Sequence, residues 1–275
     1  MKKLIRPFTA ICAALTLLSS CKKDAKELAT EEVPMDVLSQ IEGLGFSTDG
    51  VQKTMGGYLV EGDILLSPND LTARPLSANM IIANEEQYRT FNTVNVTNHP
   101  VIKIALNNSS AQHQDVFSAA LDEAIGRFNA ENLDITFQRV TTAPDITVVA
   151  YYQVSSTLGS AGFPTATGDP YHEVKMNTYH YNTGVTTTNT NYIATIMSHE
   201  FGHCIGYRHT DYANRAYSCG GRRSNEGQAN TGVGAVHIPG TPTGGDPSSW
   251  MLACVGNGVN RPFNANDKIA LSYVY

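Results

Sequence analysis

Between His199 and Asp211 the chain reads H-E-F-G-H-C-I-G-Y-R-H-T-D. On a helix, residues four apart stand nearly one above the other, so His199 and His203 would aim both imidazoles at one point. Glu200 stands beside them, placed to hold a water at that point rather than to ligate. Gly206 follows His203 by three residues, where a helix can end in the left-handed turn that glycine adopts cheaply. That turn would return the chain so that His209 supplies a third nitrogen. Three neutral imidazoles with a fourth position left open make a catalytic zinc site rather than a structural one. A bare H-E-x-x-H also arises by chance on a surface helix, but Gly206 and His209 at fixed offsets argue against that reading.

These residues need a rigid helix and something for it to lie on. Ahead of the motif, Ile193, Ile196 and Met197 recur at three and four residues and give the helix an apolar face. Val101–Leu106 reads as a strand. Gln114–Asn132 reads as a helix whose inner face is Val116, Phe117, Ala120, Leu121, Ala124, Ile125 and Phe128. Residues 133–140 alternate as a strand. Residues 145–152 form a continuous apolar run, which predicts a strand buried on both faces. A Gly-rich stretch (158–164) and a strand at 173–177 precede the motif. The order strand, helix, two strands, edge strand, strand, helix is α/β (α+β): a twisted mixed sheet with an edge strand, backing two main helices of which the second carries the motif. The part after His209 is irregular.

Residues 22–97 differ in character. Pro34–Glu42 is a short helix candidate, and Gly57–Ser67 reads as two strand pieces around Glu61-Gly62-Asp63. Residues 69–97 are polar and predict little regular structure. These shifts divide the chain into 1–20, 21–97 and 98–275.

The N-terminus has a basic start (M-K-K-L-I-R), a short apolar run and then Leu18-Ser19-Ser20-Cys21, the pattern of an export signal rather than a membrane span. Leu18–Cys21 resembles a bacterial lipobox, which implies cleavage before Cys21, lipidation of its thiol and a cell-envelope lipoprotein tethered to a membrane, at the outer membrane or cell surface. Past Cys21, three cysteines remain: Cys204, Cys219 and Cys254. An oxidising compartment favours one disulfide and one free thiol. Cys204 follows a ligand histidine and points away from its side of the helix, as a small buried hydrophobe would. Cys219–Cys254 is the favoured pair, although spacing does not fix connectivity. The chain is 41% hydrophobic and 16% charged with a formal net charge of −6, and the lack of a basic stripe argues against nucleic acid as a partner.

Strand, helix, strands and then H-E-x-x-H-x-x-G-x-x-H resembles the metzincin catalytic domain. The dual-action HEIGH metallopeptidases are the nearer resemblance, through His199–Asp211, the Ser-Cys-Gly-Gly at 218–221, Val236–Pro242 and Trp250-Met251. Phe201 here replaces the isoleucine of the family pentad. The resemblance implies Zn2+ on His199, His203 and His209, Glu200 as general base, and Met251 as the methionine of the turn beneath the metal. Ala253 stands where astacin-like members carry a tyrosine ligand, so no such ligand is implied. Asp211 is a candidate partner for a ligand imidazole or a plain turn former. In metzincins the substrate adds as a strand to an exposed edge, which would place Ser160-Ala161-Gly162 there; the residues alone also fit a plain loop. Val60–Ile64 resembles the F-x-G-D-I of astacin pro-segments. That implies Asp63 as a latency ligand on the metal, whereas turn chemistry alone reads Gly62-Asp63 as a hairpin turn.

The reading is therefore a zinc endopeptidase acting on protein or peptide. Two rivals share these residues: a non-catalytic binding lipoprotein on the same scaffold, and a zinc hydrolase of a non-protein substrate. His237 lacks ligand spacing and reads as a surface or packing histidine.

Overall fold

Pattern and pairing together decide which segments order. The computed structural model describes residues 32–72, 87–107, 109–221, 233–242 and 245–275. The export signal and Cys21 lie outside the described residues. In chain order the elements are α1 (Met35–Gly43), β1 (Gln52–Thr54), β2 (Gly57–Val60), β3 (Ile64–Leu66), α2 (Pro68–Leu71), β4 (Tyr88–Arg89), β5 (Val101–Asn107) and α3 (Gln114–Asn129). Then follow β6 (Thr136–Arg139), β7 (Ile146–Tyr151), β8 (Gly159–Ala161), β9 (Glu173–Asn177), α4 (Thr187–Ile205), β10 (Tyr207–Arg208), α5 (Ala216–Cys219), β11 (Val236–His237) and α6 (Ala265–Val274).

The main sheet is mixed, with eight strands in the order β1-β2-β3-β8-β9-β7-β5-β6. β6, β5, β7 and β9 run parallel, and β8 turns antiparallel against β9. The segment expected at the edge is β8, and its outer side is taken by β3, which runs parallel to it with Ile64 opposite Ala161. An N-terminal hairpin thus extends the sheet where a substrate strand was expected. α3 and α4 pack together over the sheet. Phe117, Leu121 and Phe128 of α3 meet Ile193, Met197 and Phe201 of α4 and Ile104, Val148 and Val174 below, all buried in one core. Each such side chain contributes roughly 1.5–3 kcal/mol on burial. Trp250, buried in the same core, packs edge-to-face with Phe128, Phe263 and Tyr207.

Two expectations change. β7 alternates buried and half-buried instead of being buried on both faces, because the helices cover one face of the sheet only. Within the expected loop 69–97, the described residues 69–72 and 87–97 hold more regular structure than their polarity suggests. α2 starts with a Ser67–Asp70 capping box. Tyr88 and Arg89 form the middle strand of a small sheet between β10 and β11, with Gln87, Tyr88 and Thr90 buried. Partners more than a hundred residues away supply that order, and local composition does not register them.

Cys219 and Cys254 are disulfide-bonded and Cys204 is free and buried. The bridge closes a span of 35 residues, so its reduction is expected to cost about 3–4 kcal/mol of stability by loop entropy. Calorimetry with and without reductant should show a clear fall in Tm. An unchanged Tm would mean the bridge adds nothing to stability. No described helix is long and apolar enough to cross a membrane.

Candidate active site

α4 carries the first two histidines on its most buried stretch. Thr186 caps its start, accepting from the Asn189 N–H, and every residue from Tyr192 to Ile205 is buried. The helix stops at Gly206, whose φ of +110° is left-handed. A Cβ there would also lie 2.9 Å from the Asn92 carbonyl oxygen. Past this turn, β10 pairs with β4 and delivers His209 back over the helix.

The Nε2 atoms of His199 and His203 approach to 3.1 Å. Asp63 Oδ2, from the turn between β2 and β3, lies 3.1 Å from His209 Nε2 and 3.7 Å from His199 Nε2. One ligand atom from each of Asp63, His199, His203 and His209 falls within 4.8 Å of all the others, a group able to hold a metal ion. Zinc with bonds of about 2.0–2.1 Å in a tetrahedron separates its ligand atoms by about 3.3 Å, close to these spacings. The outer ring nitrogens settle the tautomers. His199 Nδ1 donates to the Trp250 carbonyl at 2.9 Å, and His203 Nδ1 donates to the Tyr207 carbonyl at 2.8 Å. A carbonyl only accepts, so with both rings neutral the two Nε2 atoms present lone pairs to each other, an arrangement that a cation between them stabilises. Burial, with His199 and His209 adding to it, holds His203 well below the usual imidazole range, so it stays neutral as a ligand must. Three imidazoles and a carboxylate are a donor set consistent with zinc.

Met251 is fully buried against Gly202 of α4, and its carbonyl accepts from the Thr210 N–H next to His209. Gly202 gives it room: a Cβ there would come within 2.6 Å of Met251 Sδ and of the Trp250 ring. Gly202→Ala is therefore expected to destabilise the fold by about 1–3 kcal/mol and to weaken zinc binding, because Trp250 holds His199. Thermal melting and zinc titration check this; wild-type values for both would show that the contact yields easily.

Asp211 touches no ligand imidazole through its described hydrogen bonds. It accepts from the Ala253 N–H at 2.9 Å and from Ser218 Oγ at 2.6 Å, and so ties the third-histidine loop to the segment after Met251. Asp267, which nothing in the local sequence marks, has the larger anchoring role. It accepts from the Trp250 and Asn264 N–H groups and from Ser249 and Gln87. Burial pushes its carboxyl up to about 7 despite those bonds. Glu61 was also not foreseen; its Oε2 lies 3.9 Å from His209 Nδ1, beyond hydrogen-bond reach. Such contacts join distant parts of the chain and leave no spacing signature. His237 is half-buried, with Nε2 3.0 Å from Thr241 Oγ1.

Glu200 is 2% exposed, with Oε2 unpaired. Burial and the nearby Asp63 carboxylate push its carboxyl well above the usual range, with His209 opposing them. Burial alone would also raise Asp63, but His209, His199 and His203 outweigh it and hold Asp63 well below that range. Asp63 is thus the ionised partner of the imidazoles, and Glu200 is the carboxyl left biased toward its protonated form. A cavity of about 260 Å³ opens beside His199 and Glu200.

An H-E-x-x-H helix with a third histidine at one point, on a mixed α/β sheet, defines a metallopeptidase site. Residues 59–275 match the family described as dual-action HEIGH metallo-peptidase, and the chain belongs to that family. The matched region takes in the turn that carries Asp63. Among solved structures, one titled "Structure of myroilysin" is similar at 18% identity with a TM-score of 0.38, covering 62% of this chain and 90% of that one. No curated protein matches the chain.

Proposed function

We propose that this protein is a zinc endopeptidase of the metzincin type, exported and lipid-anchored through Cys21, and held latent by Asp63. The convergence of His199, His203 and His209 on one point beside buried Glu200 carries the reading. A zinc ion at this point supplies Lewis-acid polarisation of a carbonyl and acidifies water to a pKa of about 7. His199 and His203 hold their Nε2 lone pairs fixed through their bonds to the Trp250 and Tyr207 carbonyls. Glu200 takes the proton of the attacking water and returns it to the departing amine nitrogen. Met251 and Trp250 keep the floor of the site in place.

Latency rests on two features of the same hairpin. Asp63 takes the fourth position around the point where the imidazoles meet. β3 pairs with β8, the strand beside which a peptide would add. Residues 21–97 would then act as tether and pro-segment ahead of the peptidase part at 98–275. The Cys219–Cys254 bridge supports export, since such bonds persist in oxidising compartments.

The peptidase reading is tested by digestion of denatured casein with zinc measured on the same sample. Cleavage that follows zinc content supports it; zinc bound with no cleavage from any form of the chain counts against it. Lipid anchoring is tested separately. The full chain should partition into detergent in a bacterial host and Cys21→Ala should move to the aqueous phase; equal partitioning of both removes the anchor.

A further inference from the structure

The cavity beside His199 and Glu200 has mostly small or apolar walls, among them Leu158, Gly159, Ile196 and Leu252, but two arginines, Arg215 and Arg261, also line it. Arg261 is held by its backbone: its own N–H donates to Thr195 Oγ1 at 2.9 Å, and its Nη1 donates to the Cys254 carbonyl at 3.2 Å. It has no ion pair among the described residues. The carboxylates that act on it from a distance, Asp211, Asp267 and Asp246, are engaged elsewhere. Asp211 holds Ala253 and Ser218, Asp267 holds Trp250, Ser249, Gln87 and Asn264, and Asp246 holds Ser248, Asn264 and Asn266. Arg261 is half-buried, and burial works against its charge, yet a guanidinium does not give up its proton. A cation so placed, with donors to spare and no carboxylate bonded to it among the described residues, suits a carboxylate brought in from outside.

The cavity also takes in an acidic turn, whose carboxylates are committed away from Arg261, Asp63 to His209 and Glu61 to the Ser47 N–H. Glu61, Gly62 and Asp63 line the same cavity, so the segment the chain lays over its own site is an acidic turn. On the proposed latency, that turn stands where substrate would lie.

We infer that this cavity is a side-chain subsite for aspartate or glutamate next to the scissile bond, with Arg261 as the specificity-determining residue and Arg215 flanking it. The inference rests on the peptidase reading and adds a substrate class to it: proteins or peptides cut beside an acidic residue. The planar guanidinium fork matches a carboxylate with two parallel hydrogen bonds, which an amide of the same shape cannot accept equally.

The test is a digest of a denatured protein mixture by the full chain carrying Asp63→Ala and loaded with zinc, with the cut sites read by mass spectrometry. Asp or Glu should be enriched at one position beside the cut bond, with the corresponding Asp peptide cleaved about ten- to a hundred-fold faster than its Asn twin. Arg261→Gln should abolish that ratio. Arg261→Lys should keep part of it, because charge survives and the fork does not. Melting curves identify any variant that fails to fold, and two substitutions at the position keep the test open. Cleavage without acidic enrichment, or enrichment that Arg261→Gln leaves intact, overturns the subsite and leaves the peptidase standing. If nothing is cut, the peptidase reading has failed, and the subsite is judged by binding. Fluorescein-labelled Asp and Asn peptides are then titrated onto the chain carrying Glu200→Gln and Asp63→Ala, where equal affinity overturns it and tighter Asp binding lost in Arg261→Gln supports it.

Discussion

Glu200→Gln is expected to bind zinc as the wild type does and to cleave peptide bonds about 10²–10⁴ times more slowly, the usual worth of a positioned acid–base group. Glu200 is not among the residues whose ligand atoms converge, so its amide variant leaves the donor set intact. The amide has nearly the carboxylate's shape and cannot take a proton. The site already contains the unpaired Oε2 of a buried carboxyl, so the substitution removes no described hydrogen bond from that atom. Zinc content and casein cleavage on one sample separate the possibilities. Loss of zinc in the variant would mean that Glu200 shapes the donor set. Full zinc with wild-type cleavage would remove Glu200 from the chemistry.

Asp63→Ala is expected to raise activity on a short fluorogenic peptide at least about tenfold in the full chain and to weaken zinc binding. An internal ligand competes with substrate at an effective concentration in the millimolar range, so removing it relieves a large handicap. The substitution spares the hairpin, because the Asp63 carbonyl that accepts from the Ala161 N–H belongs to the backbone. Both effects have one cause: the carboxylate lies 3.1 Å from His209 Nε2 and supplies the fourth ligand atom. Asp63→Asn should fall between wild type and Asp63→Ala. Activity no higher than wild type would reduce residues 61–63 to a hairpin turn with no part in latency.

The site was legible because helices have a fixed period. His199, Glu200 and His203 are set by a spacing of four, and Gly206 announces the turn through the one backbone conformation it adopts more cheaply than others. α3 and its inner face were legible for the same reason. What held no local signal was long-range pairing. β4 is two residues long, in a polar stretch, and exists because β10 and β11 flank it. Asp267 closes a capping box with Asn264 at the start of α6 and also holds Trp250 and through it His199. The turn at Asp63 was readable as a motif, but its place at the histidines depends on β3 pairing with β8, which one residue pair in register defines. Continuous hydrophobicity at 145–152 misled, because half-covered strands also tolerate apolar residues on the open face.

The most direct test of the account is casein digestion by the full chain carrying Asp63→Ala, beside the same chain carrying Asp63→Ala and Glu200→Gln, with zinc measured on both. The account predicts about one zinc per chain in each and cleavage by the first alone. Cleavage by both, or one zinc in each with cleavage by neither, would contradict it.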